Sequence, residues 1–474
     1  MGRLEEFLKE VSNILWGSLN SLFHLDVDLI GDMPILAMLL LFTGIFLTVK
    51  LRFMPILHIP KAFVMLWKGR KVKKGEDGHI TPFAALATAL SSSIGTGNIV
   101  GVATAISLGG PGAIFWMWMT ALVGMATKYT ECMLAVKYRV VDSSGNYKGG
   151  PMYYIENGLG KNWKWLAIVF TFGALITAIG SGNLIQSNSI AEVAQLTFKA
   201  PTAVTGLVLT FLTFIIIIGG IETIGKFTSK LVPVMALGYF VMALVVLLMN
   251  YSEIPKAFSL IFNDAFNGHA AAGGFAGAMI AEAIRYGIAR GLFSNEAGQG
   301  SAPIVHAVAK TTDPVKQGTI AMLGTFIDTI LICTITALVI LTVKGDFIAV
   351  NQEGIEVSVN FAWQSTFKGA GITAAAFDAG IPGGDFFITI TLIVFAFSTI
   401  LGWTYYGERA LAYLIGEKYV ISFRYIWCGL TFLGSISSVQ AVWTIGEISN
   451  AIMTAPNLVA ILLLSQMPGL IKRG

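Results

Sequence analysis

Long apolar stretches separated by short polar segments fill almost the whole chain. A hydrocarbon layer about 30 Å thick takes roughly 20 residues of helix to cross, and lipid cannot satisfy an open backbone. Eleven segments meet that demand, at 33–51, 82–108, 112–137, 164–191, 201–219, 229–249, 272–298, 317–343, 385–407, 422–437 and 440–465. The pattern predicts an all-α polytopic membrane protein with about 11 transmembrane helices. Ahead of them, Trp16, Leu19, Leu22 and Phe23 fall at helical spacing, which suits an amphipathic segment over 1–32 lying in the membrane interface. The connection 344–384 is long enough to hold a short lid helix.

Two spans interrupt the apolar pattern at matching places. Span 82–108 gathers Ser91, Ser92, Ser93, Gly95, Thr96, Gly97 and Asn98 near its middle. Glycine lowers helix stability by roughly 1 kcal/mol against alanine, and a freed amide in hydrocarbon costs several more unless something pairs with it. Such a break persists only where it faces protein, water or a ligand. A discontinuous helix aims carbonyls at a cation from one half and amides at a carboxylate from the other. An amino-acid zwitterion presents both charges, and sodium is a further cation suited to oxygen ligands. Close helix packing through Gly97 and Gly101 is the other reading of this block, although it leaves Thr96 and Asn98 unexplained.

Five spans later, Gly273, Gly274 and Gly277 interrupt 272–298 near one end, with Glu282, Arg285 and Arg290 further along. Glu282 and Arg285 are three residues apart and suit a structural or gating pair. Paired interruptions in successive five-helix groups point to an inverted repeat around a midplane site. The expected organisation is five plus five, 82–249 against 272–465, preceded by a leading helix and polar loop over 33–81. The stretch SNEAGQGSAP at 294–303 reads equally as a helix stop or as the organiser of one mouth through Asn295, Glu296 and Gln299.

Other polar groups lie at depth. Gln186, a turn from Asn183, gives and accepts hydrogen bonds without net charge and suits an ammonium or a carboxylate; an interhelical hydrogen bond is its competing role. Ser398 and Thr399 offer hydroxyl oxygens to sodium, or bond back to their own helix. Trp403, one turn on, closes an apolar wall over a small side chain or anchors at the interface.

Composition and charge narrow the function. Of 474 residues 55% are hydrophobic and 12% charged, with mean hydropathy +0.73, too few charges to cover the cores of a soluble protein. With the N-terminus outside, 22 of the 31 Lys and Arg fall on the inner side, six on the outer and three within spans, which favours N-out, C-in. The net charge is only +4 and the basic residues sit in short connections, which excludes a nucleic-acid partner. The three cysteines lie in apolar stretches, the five histidines show no ligand spacing, and no nucleotide or nucleophile motif is present. The chain reads as neither an enzyme nor an ATP-driven pump, with no prosthetic cofactor.

Three stretches, SSSIGTGNIVGVATAISLGGPGAIFWMW at 91–118, GGPMYYIENGLG at 149–160 and GLFSNEAGQGSAPIVHA at 291–307, resemble the alanine or glycine:cation symporter family. The likeness runs from about residue 30 to 465. That family is similar in fold to the neurotransmitter:sodium symporters. The resemblance implies uptake of alanine or glycine across the cell membrane, driven by sodium as coupling ion, through alternating access by a monomer. It places substrate at Thr96, Gly97 and Asn98 of the GTGN core, with Gln186 and Trp403 as companions and backbone around Phe275 and Gly277. Likeness to the wider fold sets carbonyls of Ser91 and Ile94 opposite Ser398 and Thr399 around sodium. A passive facilitator or channel, and a nontransporting amino-acid sensor, are the alternatives.

Overall fold

Thr81 and Pro82 open the helix on which the site is built. The Thr81 hydroxyl accepts from the Ala84 amide at 3.1 Å, and proline occupies the first turn, where an amide would lack a partner. The first half runs Pro82–Ser93. Ile94 then turns extended and Gly95 follows. The second half begins with a wide π-helical turn at Gly97–Gly101 and continues as Val102–Gly109, bent by 54° from the first. The computed structural model describes residues 34–71, 75, 77–142, 145–267, 276–350, 354–437 and 439–466. The amphipathic segment expected over 1–32 lies outside the described residues.

Among the described residues six helices are long and apolar enough to cross a bilayer: Lys161–Phe198, Gly220–Met249, Pro314–Thr342, Gly384–Ile415, Glu417–Ile436 and Ile448–Gln466. Counting the bent pair as one span makes seven. The expectation of about eleven is corrected accordingly, and the five-plus-five count with a leading helix falls with it. Ile35–Lys50 and Thr202–Ile217 have 16 residues each. At 1.5 Å per residue that is about 24 Å of helix, short of the hydrocarbon thickness. Ala113–Lys137 is long enough but carries Thr120, Thr127, Lys128, Thr130 and Glu131, all buried among neighbouring helices. Ala276–Asn295 carries Glu282, Arg285 and Arg290. Windows that look apolar in the sequence therefore include helices too short or too polar to cross the hydrocarbon by themselves.

The connections are structured. Val140–Val141 pairs antiparallel with Tyr147–Lys148, and Phe347–Val350 with Glu356–Val359. The 344–384 connection does hold a short helix, Ala370–Gly380, whose Thr373 hydroxyl donates to the Ile99 carbonyl at 3.1 Å. It thereby rests on the second half of the broken helix. Outside the spans, Glu156 accepts from the Tyr413 hydroxyl at 2.6 Å, and that bond holds its carboxyl below the usual range.

Gly384–Ile415 packs closely on the first half. A Cβ at Gly402 would stand 2.9 Å from Ser91 Oγ and 3.1 Å from the Ser92 nitrogen, so only glycine permits this approach. Near the far end of the same helix, Glu408 is 1% exposed and accepts from Arg424 Nε at 2.7 Å and Nη2 at 3.0 Å. The outward surface is apolar, with Leu207, Phe211, Val234, Leu237, Leu248 and Ile421 all exposed, as lipid contact requires. Arg424→Met would strand the buried Glu408 carboxylate. It should lower stability by about 3–5 kcal/mol, read as a fall in the detergent melting midpoint that Glu408→Gln in the same chain largely restores; an unchanged midpoint in the single variant would show that the pair holds nothing.

Candidate functional site

One amide freed at the break, that of Gly95, is paired from within. Asn98 Oδ1 accepts the Gly95 amide at 3.0 Å, which reaches back across the interruption. Its Nδ2 donates to Asp328 Oδ1 at 2.9 Å, to the Asp328 carbonyl at 3.1 Å and to Ser294 Oγ at 3.1 Å. Ser294 and Thr329 hydroxyls donate to Asp328 Oδ2 at 2.7 and 2.9 Å. Asp328 sits in a π-helical stretch, Phe326–Cys333, of the Pro314–Thr342 span and is fully buried. Asn98 is thus committed to holding the break. Gly97 lets the next element come close, since a Cβ there would stand 3.2 Å from Ser294 Cα.

Beside the break lies a cavity of about 30 Å³, room for roughly two waters. Ser92, Ser93, Gly95, Thr96 and Gly97 line it from the broken helix, and Ser181 and Gln186 from Lys161–Phe198. Thr399 and Trp403 come from Gly384–Ile415, Asn450 from Val439–Gln466, and Phe293, Glu296 and Gln299 from the chain at the end of Ala276–Asn295. Gln186 Nε2 donates to the Ser181 carbonyl and Asn450 Nδ2 to the Ser181 hydroxyl, both at 3.1 Å. These bonds use the donor side of each amide. Gln186 Oε1, Asn450 Oδ1 and Thr96 Oγ1 are buried and have no partner. Trp403 is set by Gly182, where a Cβ would fall 2.4 Å from Trp403 Cβ.

Of the residues expected to meet substrate, Thr96, Gly97, Gln186 and Trp403 come together in this cavity, whereas Asn98 faces away into the Asp328 network. Phe275 lies outside the described residues, and Gly277 sits in the first turn of Ala276–Asn295. From there to Phe293 is about 24 Å of helix. Of the expected sodium ligands, Ser398 Oγ donates to the Ser91 carbonyl at 3.1 Å, and Thr399 Oγ1 would stand 2.7 Å from a Cβ on Gly95. Ile94 is the extended residue between them, fully buried. Both hydroxyls also bond the Phe395 carbonyl, at 2.8 and 3.1 Å.

Sequence reasoning missed Ser181, Phe293, Asp328 and Asn450, and did not connect Glu296 and Gln299 to this cavity. Asp328 carried a signal, an acid within the apolar run FIDTILIC. Gly273 and Gly274, expected to interrupt the second span, lie outside the described residues, and the helix stop that SNEAGQGSAP suggested is present. It follows Asn295, where Glu296, Gly298 and Gly300 adopt φ of 53°, 90° and 85° before Ala302–His306 resumes as helix. The glycines of SNEAGQGSAP are there because that turn needs positive φ.

The sodium:alanine symporter family matches residues 18–470 of the chain. The chain is 48% identical over 434 residues to the sodium/alanine symporter AgcS of Methanococcus maripaludis, a match covering 91% of this chain and 92% of that one. It is 35% identical over 439 residues to the probable sodium/glutamine symporter GlnT of Bacillus subtilis, covering 91% and 86%. Among solved structures, a manganese transporter of Eremococcus coleocola is similar at a TM-score of 0.50 and 11% identity, covering 80% and 76%, a likeness of fold alone.

Asn98→Ala removes the Gly95 acceptor and one donor to a buried carboxylate, each hydrogen bond to a charged group contributing about 1.5–3 kcal/mol. The variant should melt well below the parent in detergent with no ligand added. Equal melting, with only ligand binding lost, would make Asn98 a ligand contact instead.

Proposed function

The chain belongs to the sodium:alanine symporter family, and from that premise we propose that it carries alanine or glycine into the cell, held in the cavity at the broken helix. It is a multi-pass membrane protein that transports small neutral amino acids with sodium, and is not an enzyme. The observation that supports this choice of site is the convergence of three buried, unpartnered oxygens, Thr96 Oγ1, Gln186 Oε1 and Asn450 Oδ1, on one cavity. An ammonium has three N–H donors to give them. The carboxylate then takes the amides that open the second half-helix from Gly97, where the helix end is partially positive. Trp403 walls the side chain; with room for about two waters the cavity must widen to admit even glycine, and a side chain larger than methyl demands more. A methyl is worth only about 0.8 kcal/mol on burial, so both amino acids fit the reading.

Sodium is assigned to the Ser91 and Ile94 carbonyls with the Ser398 and Thr399 hydroxyls, hard oxygen ligands gathered beside Gly95 at the edge of the same cavity. The two ligands then share one flexible joint. Sodium rigidifies the interruption that the amino acid must also use, so each raises the affinity of the other by the same factor. One chain supplies every cavity residue, and no second subunit is needed. The Lys and Arg bias of the connections supports an N-terminus outside and a C-terminus in the cytoplasm. Alternating access follows when the elements lining the cavity part first on one face and then on the other.

Purified protein in sealed liposomes should accumulate labelled alanine or glycine uphill only with an inward sodium gradient. Equilibration without sodium would identify a passive facilitator, and binding without flux a sensor. Gln186→Ala should raise KM for alanine by about tenfold, the loss of a charge-assisted hydrogen bond, and an unchanged KM would remove Gln186 from the site. Thr399→Val should chiefly weaken the response to sodium; an unaltered sodium dependence would reject that ligand.

A further inference from the structure

The cavity has an acid in its wall that the reading above leaves without a task. Glu296 follows Asn295 at the second interruption, with φ of 53°, a left-handed conformation rare for a residue other than glycine. The turn it begins is wedged in place: a Cβ at Gly298 would stand 2.4 Å from Leu40 Cδ2, and one at Gly300 2.7 Å from Phe170 Cε2. Glu296 is 6% exposed and faces the cavity.

Its carboxylate meets neutral donors. The Ser301 hydroxyl donates to Oε2 at 2.5 Å, and the Trp403 indole bonds it from the opposite wall. Lys128, 3% exposed, donates a hydrogen bond to the main-chain carbonyl of Glu296 at 3.0 Å. Among the described residues no Lys, Arg or His nitrogen lies within 4.0 Å of the carboxylate. The charged and titratable groups around the turn are Lys128 and Glu131 on Ala113–Lys137, Asp328 on Phe326–Cys333, His306 on Ala302–His306, and Tyr406 on Gly384–Ile415. Glu131, Glu296 and Asp328 are three buried acids beside one ammonium. Burying an uncompensated carboxylate costs several kcal/mol, and taking up a proton relieves that cost. Asp328 is engaged by Asn98, Ser294 and Thr329, and Glu131 by Asn457 at 2.6 Å, neither of them lining the cavity.

We propose that Glu296 carries a proton while no ammonium occupies the cavity, and releases it to water when the ammonium of the amino acid enters beside it. This rests on the cavity being the amino-acid site. The carboxyl O–H bond breaks, its electron pair stays on oxygen, and the proton leaves with water; the incoming ammonium replaces one positive charge with another. Binding and deprotonation are linked, so acid opposes binding and affinity climbs as pH rises through the titration of Glu296, then levels.

The test is calorimetric titration of alanine into the full-length protein in detergent with saturating sodium, repeated near neutral pH in phosphate and in Tris, whose ionisation heats differ. The expected result is release of up to about one proton per alanine bound, with affinity rising by up to about tenfold per pH unit on the acid side. Glu296→Gln should abolish the release and flatten the pH dependence, whereas Glu131→Gln should keep both. Alanine binding with the same heat in both buffers overturns the proposal from the unsubstituted protein alone, and so does release that survives Glu296→Gln. Absence of any binding heat would instead overturn the amino-acid reading of the cavity, and this inference with it.

Discussion

An amide or carbonyl cannot stand unpaired in hydrocarbon, and the interruption between Ser93 and Gly97 is organised around that constraint. The chain does not leave the break to water. Asn98 folds back onto the Gly95 amide, and the Asn98 amide nitrogen is in turn anchored on Asp328 and Ser294. Thr96 Oγ1, Gln186 Oε1 and Asn450 Oδ1 remain without a partner, and all three residues line the cavity. A gap in the helix becomes a ligand site because its structural debts are settled on one face and left open on the other.

The same logic joins the two interruptions. Gly97 permits backbone approach to Ser294, two residues before Glu296 starts the second turn. The second turn is packed by Leu40, Phe170 and Leu458, from three separate helices, and Asn457 donates to its Gly298 carbonyl at 2.8 Å. Displacing either break therefore disturbs several elements together. That is the physical basis for coupling between ligands: interlocked packing passes from one arrangement to another and does not yield gradually.

The first break was legible because serine, glycine and asparagine at mid-span have no good explanation in lipid, and Thr96, Gly97, Gln186 and Trp403 do meet in the cavity. Helix number was less legible. A window average cannot tell Ala113–Lys137, whose Lys128 and Glu131 are hidden among other helices, from a helix that can face lipid. It cannot see that Thr202–Ile217 stops after 16 residues either. Asn98 shows a different limit. Its residue type suits a ligand contact, but only the fold reveals that Asp328, far along the chain, claims its amide. Asn450 and Ser181 escaped notice for the same reason, since their meaning comes from the bond between them.

The balance of donors and acceptors in the cavity also selects the kind of solute. Three unpartnered oxygens and one carboxylate supply acceptors, while the donors come from backbone at the start of the second half-helix. A hydroxy acid of alanine's size brings one O–H in place of three N–H groups and no positive charge. It would leave two of the three oxygens buried and unpaired, each costing about 1–3 kcal/mol. An amine lacking the carboxylate satisfies the oxygens but leaves the helix amides open. On the proposed reading of the cavity, a solute carrying both groups on one carbon answers both sides of the break, and the volume beside Trp403 then limits the side chain on that carbon.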